Sequence, residues 1–95
     1  MTQIDKQNFT IAKKIPSEYW EFVISVATKC SKYNYDSNMD TLFDIYYKHL
    51  PNKYLPKQKA CIDCRGNVKI EMIRLTPYLS KLLYEKKLLD SIGNG

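Results

Sequence analysis

From residue 16 onward, apolar side chains recur at the alternating three- and four-residue steps that line one face of an α-helix. Tyr19, Phe22, Val23, Val26 and Cys30 form a first stripe, widened by Trp20 and Ala27. It begins at Pro16-Ser17: proline lacks only an N–H that has no partner in a first turn, and Ser17 can cap. The stretch from Lys32 to Asp36 contains Asn34 and breaks the pattern. Ser37-Asn38-Met39-Asp40 then resembles a capping box with Asp in place of Glu. Met39, Leu42, Phe43, Tyr46 and Leu50 follow as a second stripe, with Ile45 beside it. Pro51 stops this helix, because the residue before a proline is pushed out of the helical region.

Pro51 to Ala60 reads as a connector with two prolines and three lysines. A third helix is expected to start near Cys61 or Asp63, with Asp63 as cap and Gly66 weakening the first turn. Beyond it Val68, Met72, Leu75, Leu79, Leu82, Lys86 and Leu89 make a heptad-like seam with one lysine in it. The seam passes through Thr76-Pro77, which fits either one kinked helix or two helices; two segments sharing one seam are the preferred form. Val68, Ile70 and Met72 also alternate with Lys69 and Glu71 as a strand would, but Ile73 and Leu75 break that phase, and the helical seam matches more positions. Gly93 and Gly95 act as a C-terminal stop.

Residues 1–15 show only weak alternation of Phe9 and Ile11 with polar neighbours, so they are read as an extended N-terminal arm. The expected fold class is all-α: a small single domain of three to four helices over residues 16–95, preceded by that arm.

Composition narrows the function. A chain of 95 residues holds one modest core with little room for a deep pocket, which argues against an enzyme. Its longest apolar stretch, Tyr19 to Ala27, is interrupted by Glu21 and Ser25 and falls short of the roughly 20 apolar residues of a membrane span. No membrane association and no small-molecule substrate are expected. Met1 to Lys14 lacks the apolar core of a secretory signal, and three cysteines are an odd number. Reduced thiols and a cytoplasmic location follow as expectations.

Cys61-Ile62-Asp63-Cys64 is the sharpest local motif, since a two-residue gap lets both sulfurs face one ion. The chain offers Cys30 and His49 as further soft ligands. A helix of about 13 residues would hold those two roughly 20 Å apart at opposite ends, against zinc bonds of about 2 Å. No metal or other cofactor is therefore expected, with Cys30, His49, Cys61 and Cys64 the only zinc candidates. The same pair reads secondarily as redox-active, a helix N-terminus and Arg65 acidifying a thiol, although the strand–helix–strand setting of such motifs is missing. His49 and the carboxylates Asp40 and Asp44 belong to no recognisable catalytic arrangement, so no catalytic residue is expected. Three scattered glycines make no phosphate loop.

Charge is unevenly placed. Lys48, Lys53, Lys57, Lys59, Arg65 and Lys69 face one acid, Asp63, so this stretch carries the whole net charge of +5. With Tyr54 among them, these residues form a candidate surface for phosphates and exposed bases, or for a protein partner. Thirteen lysines against two arginines disfavour specific base reading. Leu82, Leu83, Leu88 and Leu89 cover more than one face of the last helix, and eight tyrosines suit half-buried interfaces. A larger protein assembly or self-association is the leading expectation, with those leucines facing the partner.

The run Leu50-Pro51-Asn52-Lys53, the basic connector and Cys61-x-x-Cys64-Arg65 before a helix loosely resemble small uncharacterised proteins of tailed phages and prophages, over roughly residues 42–72. The resemblance implies a structural or assembly role in a virion, such as a capsid or connector accessory, in the host cytoplasm or the particle. It transfers no catalytic residue. The leading expectation is a non-enzymatic assembly protein; the second is a small nucleic-acid-binding regulator using the basic stretch.

Overall fold

The computed structural model describes residues 1–33, 36–50 and 61–93. Among them are four α-helices and one 3-10 turn, and no strand. Helix α1 spans Gln3–Ala12, the 3-10 turn Ser17–Tyr19, α2 Trp20–Val26, α3 Ser37–His49 and α4 Ile62–Gly93. The all-α class expected from the periodicity is the class observed.

Helix α4 organises the rest. Its 32 residues, at 1.5 Å per residue, span about 48 Å, and the molecule measures 47 × 29 × 19 Å. Helices α1, α2 and α3 all pack against it. Val68, Met72, Leu75 and Leu79 of the predicted seam are fully buried and meet Val23, Ala27, Met39 and Leu42 in one core. Burying a Leu, Met or Val side chain contributes roughly 1.5–3 kcal/mol, so this seam is the main source of stability.

Four expectations are corrected. Residues 1–15 are not an extended arm: α1 forms there and lies on α4. A complete capping box starts it, with the Asp5 N–H donating to Thr2 Oγ1 at 3.1 Å and the Thr2 N–H to Asp5 Oδ2 at 3.1 Å. Its buried stripe includes the polar Asn8 beside Ala12, which hides the helical period from a search for apolar residues. Ile15 ends the segment fully buried, and its carbonyl accepts the Trp20 indole N–H at 2.8 Å.

Pro77 does not divide the C-terminal region; it lies inside one continuous α4. The ring removes the N–H that would reach the Ile73 carbonyl one turn back. Thr76 Oγ1 donates to that carbonyl at 2.7 Å and satisfies it.

The helix caps also differ from those expected. Asp36, not Ser37, caps α3, its Oδ1 accepting the Asn38 N–H at 2.9 Å. Cys61, not Asp63, stands at the N-cap of α4: its carbonyl accepts the Arg65 N–H at 3.0 Å and its sulfur the Cys64 N–H at 3.3 Å.

The fourth correction concerns the leucines. Leu82 is 9 % exposed and closes the core seam, and Leu83 is half-buried, so Leu82 is not available to a partner. Leu88 and Leu89 are 49 % and 68 % exposed, as a partner-facing role requires.

Candidate functional site

Three groups of residues carry the candidate chemistry. The first lies where the end of α2 meets the start of α4. Lys69 Nζ donates to the carbonyls of Ala27 at 2.9 Å and Cys30 at 2.6 Å. Arg65, itself buried, donates through Nη2 to the Ser31 carbonyl at 3.1 Å. Carbonyls at a helix C-terminus lack intrahelical donors, and cations are the groups that best satisfy them. Of these two members of the predicted basic surface, Lys69 thus caps the end of α2 and Arg65 ties down the chain just beyond it, a correction to their expected role. Lys48 is exposed on α3. Lys53, Tyr54, Lys57 and Lys59 lie outside the described residues. The acidic partner of this junction is Asp36, which accepts the Ser31 N–H at 3.2 Å. Backbone N–H groups of Ser31 and Asn38 hold its carboxyl below the ordinary aspartate range.

The second group is sulfur. Cys61 and Cys64 occupy the first turn of α4, Cys61 half-buried and Cys64 almost wholly buried. A hydrogen bond from the Cys64 side chain, then its backbone N–H, lowers the Cys61 thiol pKa. Tyr47 is close enough for both sulfurs to act on its phenol, whose pKa is raised chiefly by burial. Cys30 is elsewhere: its buried Sγ rests 3.4 Å from Met39 Sδ, and burial pushes its thiol up. His49 leans on the Tyr19 ring at 5.9 Å. The structure therefore pairs two of the four zinc candidates, and among the described residues no group of three or more His, Cys, Asp or Glu is disposed to hold a metal ion.

The third group is the end of α4. Tyr84, Leu88, Leu89 and Ile92 are 68 %, 49 %, 68 % and 69 % exposed. Apart from Leu89, which lies one heptad beyond Leu82, they do not continue the core seam. At 3.6 residues per turn, their face lies roughly 130° around the helix from that of Val68 to Leu82. It continues instead the side of α4 that α1 covers. There Arg74 Nη1 donates to Asn8 Oδ1, Asn8 Nδ2 donates to the Tyr78 hydroxyl at 3.1 Å, and that hydroxyl donates to Asp5 Oδ1 at 2.9 Å. Phe9 meets Tyr78 edge-on with ring centres 4.9 Å apart, and Lys81 Nζ lies 5.5 Å from the Phe9 ring centre. Met1 and Ile4, at the free end of α1, are 74 % and 68 % exposed. Helix α1 thus stops short and leaves the last turns of its track on α4 uncovered.

Sequence reasoning found Leu88 and Leu89 but missed Tyr84, Ile92, Met1 and Ile4. The signal was the four-residue step Tyr84–Leu88–Ile92, masked by the stronger seam beside it.

No protein-family model, curated protein or solved structure matches this chain. Among the described residues no helix is long and apolar enough to cross a membrane.

Proposed function

We propose that this chain is a non-enzymatic structural or assembly component that docks onto a larger protein through the uncovered end of α4. The carrying observation is the run of Tyr84, Leu88, Leu89 and Ile92, exposed on a helix that outruns its own core. The occupant it fits is an apolar helix of the partner, laid in line with α1 and antiparallel to α4 as α1 is. Contiguous apolar surface rimmed by charge is typical of protein interfaces, and here Glu85, Lys86, Lys87 and Asp90 supply the rim. A phage head or connector is the assembly suggested by the resemblance around Leu50 to Arg65.

The test is capture with a photo-crosslinker placed at Leu88 or Ile92, in wild type and with Leu89→Asp added. A protein crosslinked by the first and lost in the second supports the reading. A monomer that crosslinks to nothing, or a capture unaffected by the aspartate, removes it. Against the nucleic-acid alternative, Lys69 is engaged at the end of α2 and Arg65 in the segment that follows it.

A further inference from the structure

We infer that Cys61 and Cys64 are a reversible dithiol–disulfide pair, oxidised by exchange with a small disulfide of the glutathione class. The three cysteines of this chain are sorted by their surroundings. Cys30 is buried in the core, its Sγ 3.4 Å from Met39 Sδ and 4.0 Å from Lys69 Nζ, with burial outweighing the nearby ammonium. Cys64 is buried but adjoins Cys61, and Cys61 alone is partly open to solvent.

Cys61 also occupies the N-cap of a 32-residue helix, a place normally held by an oxygen. A neutral thiol accepts a hydrogen bond poorly and a thiolate accepts it well, so the cap favours the ionised sulfur. The unpaired N–H groups of the first turn act in the same direction. The lowered Cys61 pKa agrees with this placement, and the raised Cys30 pKa agrees with its inertness.

The spacing allows closure. Residues three apart on a helix have Cβ atoms about 5–6 Å apart, and a disulfide spans about 3.5–4.5 Å. Cys61 is at the helix boundary rather than inside it, with its sulfur already 3.3 Å from the Cys64 nitrogen. A small shift of one N-cap residue closes the ring, and the loop it closes lies within one turn.

The chemistry balances with the small disulfide as oxidant. The Cys61 thiolate attacks one sulfur of R–S–S–R, forming a mixed disulfide and releasing RS⁻, which takes up a proton. Cys64 loses its proton, attacks the Cys61 sulfur and releases the second RS⁻. Two protein thiols become one protein disulfide, and the small disulfide is reduced to two thiols. Because the cap stabilises the reduced form, the protein disulfide is readily reversed.

The experiment is equilibration of the full chain in mixtures of reduced and oxidised glutathione, with acid quench, alkylation of remaining thiols and mass spectrometry. The expected result is a two-electron transition between the dithiol and a Cys61–Cys64 disulfide. At pH 7 Cys61 should alkylate at least about tenfold faster than Cys30. Cys64→Ala should trap glutathione on Cys61, and Cys61→Ser, which keeps a capping oxygen, should abolish exchange. A wild-type chain that stays a dithiol at every ratio overturns the inference. So does glutathione accumulating on Cys30, or a Cys61→Ser variant that exchanges as fast as wild type.

Discussion

The Thr76 hydroxyl donates to the carbonyl of Ile73 across 2.7 Å, filling the place left by the N–H that Pro77 lacks. A proline in a helix interior usually costs about 3 kcal/mol or more through that lost bond and a clash with the preceding turn. Here a neighbouring side chain meets part of the loss, and the helix runs on.

The pair should therefore behave as a unit in a double-mutant cycle. Thr76→Ala is expected to destabilise by about 1–2 kcal/mol, because it leaves a half-buried carbonyl without a donor. Pro77→Ala should stabilise, since it restores the backbone bond. In the Pro77→Ala background Thr76→Ala should cost much less. Urea unfolding of the four proteins measures this; additive effects would show that the hydroxyl does not serve Ile73.

Lys69 ties two segments 42 residues apart through the Ala27 carbonyl. Lys69→Met keeps most of the apolar stem and removes the ammonium. It should destabilise by about 2 kcal/mol, the usual size for hydrogen bonds to a charged donor. Were Lys69 part of a phosphate-binding surface instead, the substitution would leave unfolding unchanged and flatten the salt dependence of nucleic-acid binding.

Exposed and buried leucines of the same helix should separate cleanly. Leu79 is fully buried, so Leu79→Ala is expected to cost about 2–5 kcal/mol. Leu89→Asp should stay within about 0.5 kcal/mol of wild type in thermal or denaturant unfolding. A large loss from Leu89→Asp would mean that this face is already covered, and the docking proposal would fall.

Two carboxyls give stability an acid limb. The Asp5 carboxyl is held below the ordinary aspartate range, first by the Thr2 backbone N–H and then by the Tyr78 and Thr2 hydroxyls. Asp36 is held down by the N–H groups of Ser31 and Asn38. Each is more acidic folded than unfolded, so its contribution is fully present above the unfolded value of about 4 and fades as pH drops through the folded value. Asp5→Asn with Asp36→Asn should flatten the decline in stability below about pH 4. An unchanged slope would place the acid sensitivity elsewhere.

Helices α2, α3 and the seam of α4 were legible because their apolar inward positions keep the helical period: Val23 and Ala27, Met39 to Tyr46, Val68 to Leu82. The continuity of α4 through Pro77 was not, because it depends on the Thr76 hydroxyl. Helix α1 was not, because its stripe carries the buried Asn8 among charged and polar residues. Thr2-x-x-Asp5 was as readable a capping pattern as Ser37 to Asp40, where the true cap stands one residue earlier. The basic stretch shows the other limit. Charge along a sequence can be counted, but whether a lysine faces solvent or the end of another helix depends on packing between distant segments. The cysteine pair was visible as spacing alone; its sorting into an open and a buried sulfur required the fold.

The final turns of α4 raise a question of energy as well as shape. From Tyr84 to Gly93 every residue is exposed, so apart from the surface ion pair of Lys87 with Glu21 of α2 at 2.9 Å this stretch draws little support from neighbouring helices. Backbone bonding alone leaves short helices marginal in water, and segments of fewer than about 12–15 residues seldom persist unaided. Amide protons here should exchange with solvent far sooner than those around Leu75, and slow only when something seats against them. Any visitor to this tip must then supply the order it finds, trading affinity for an end that adapts to what it meets.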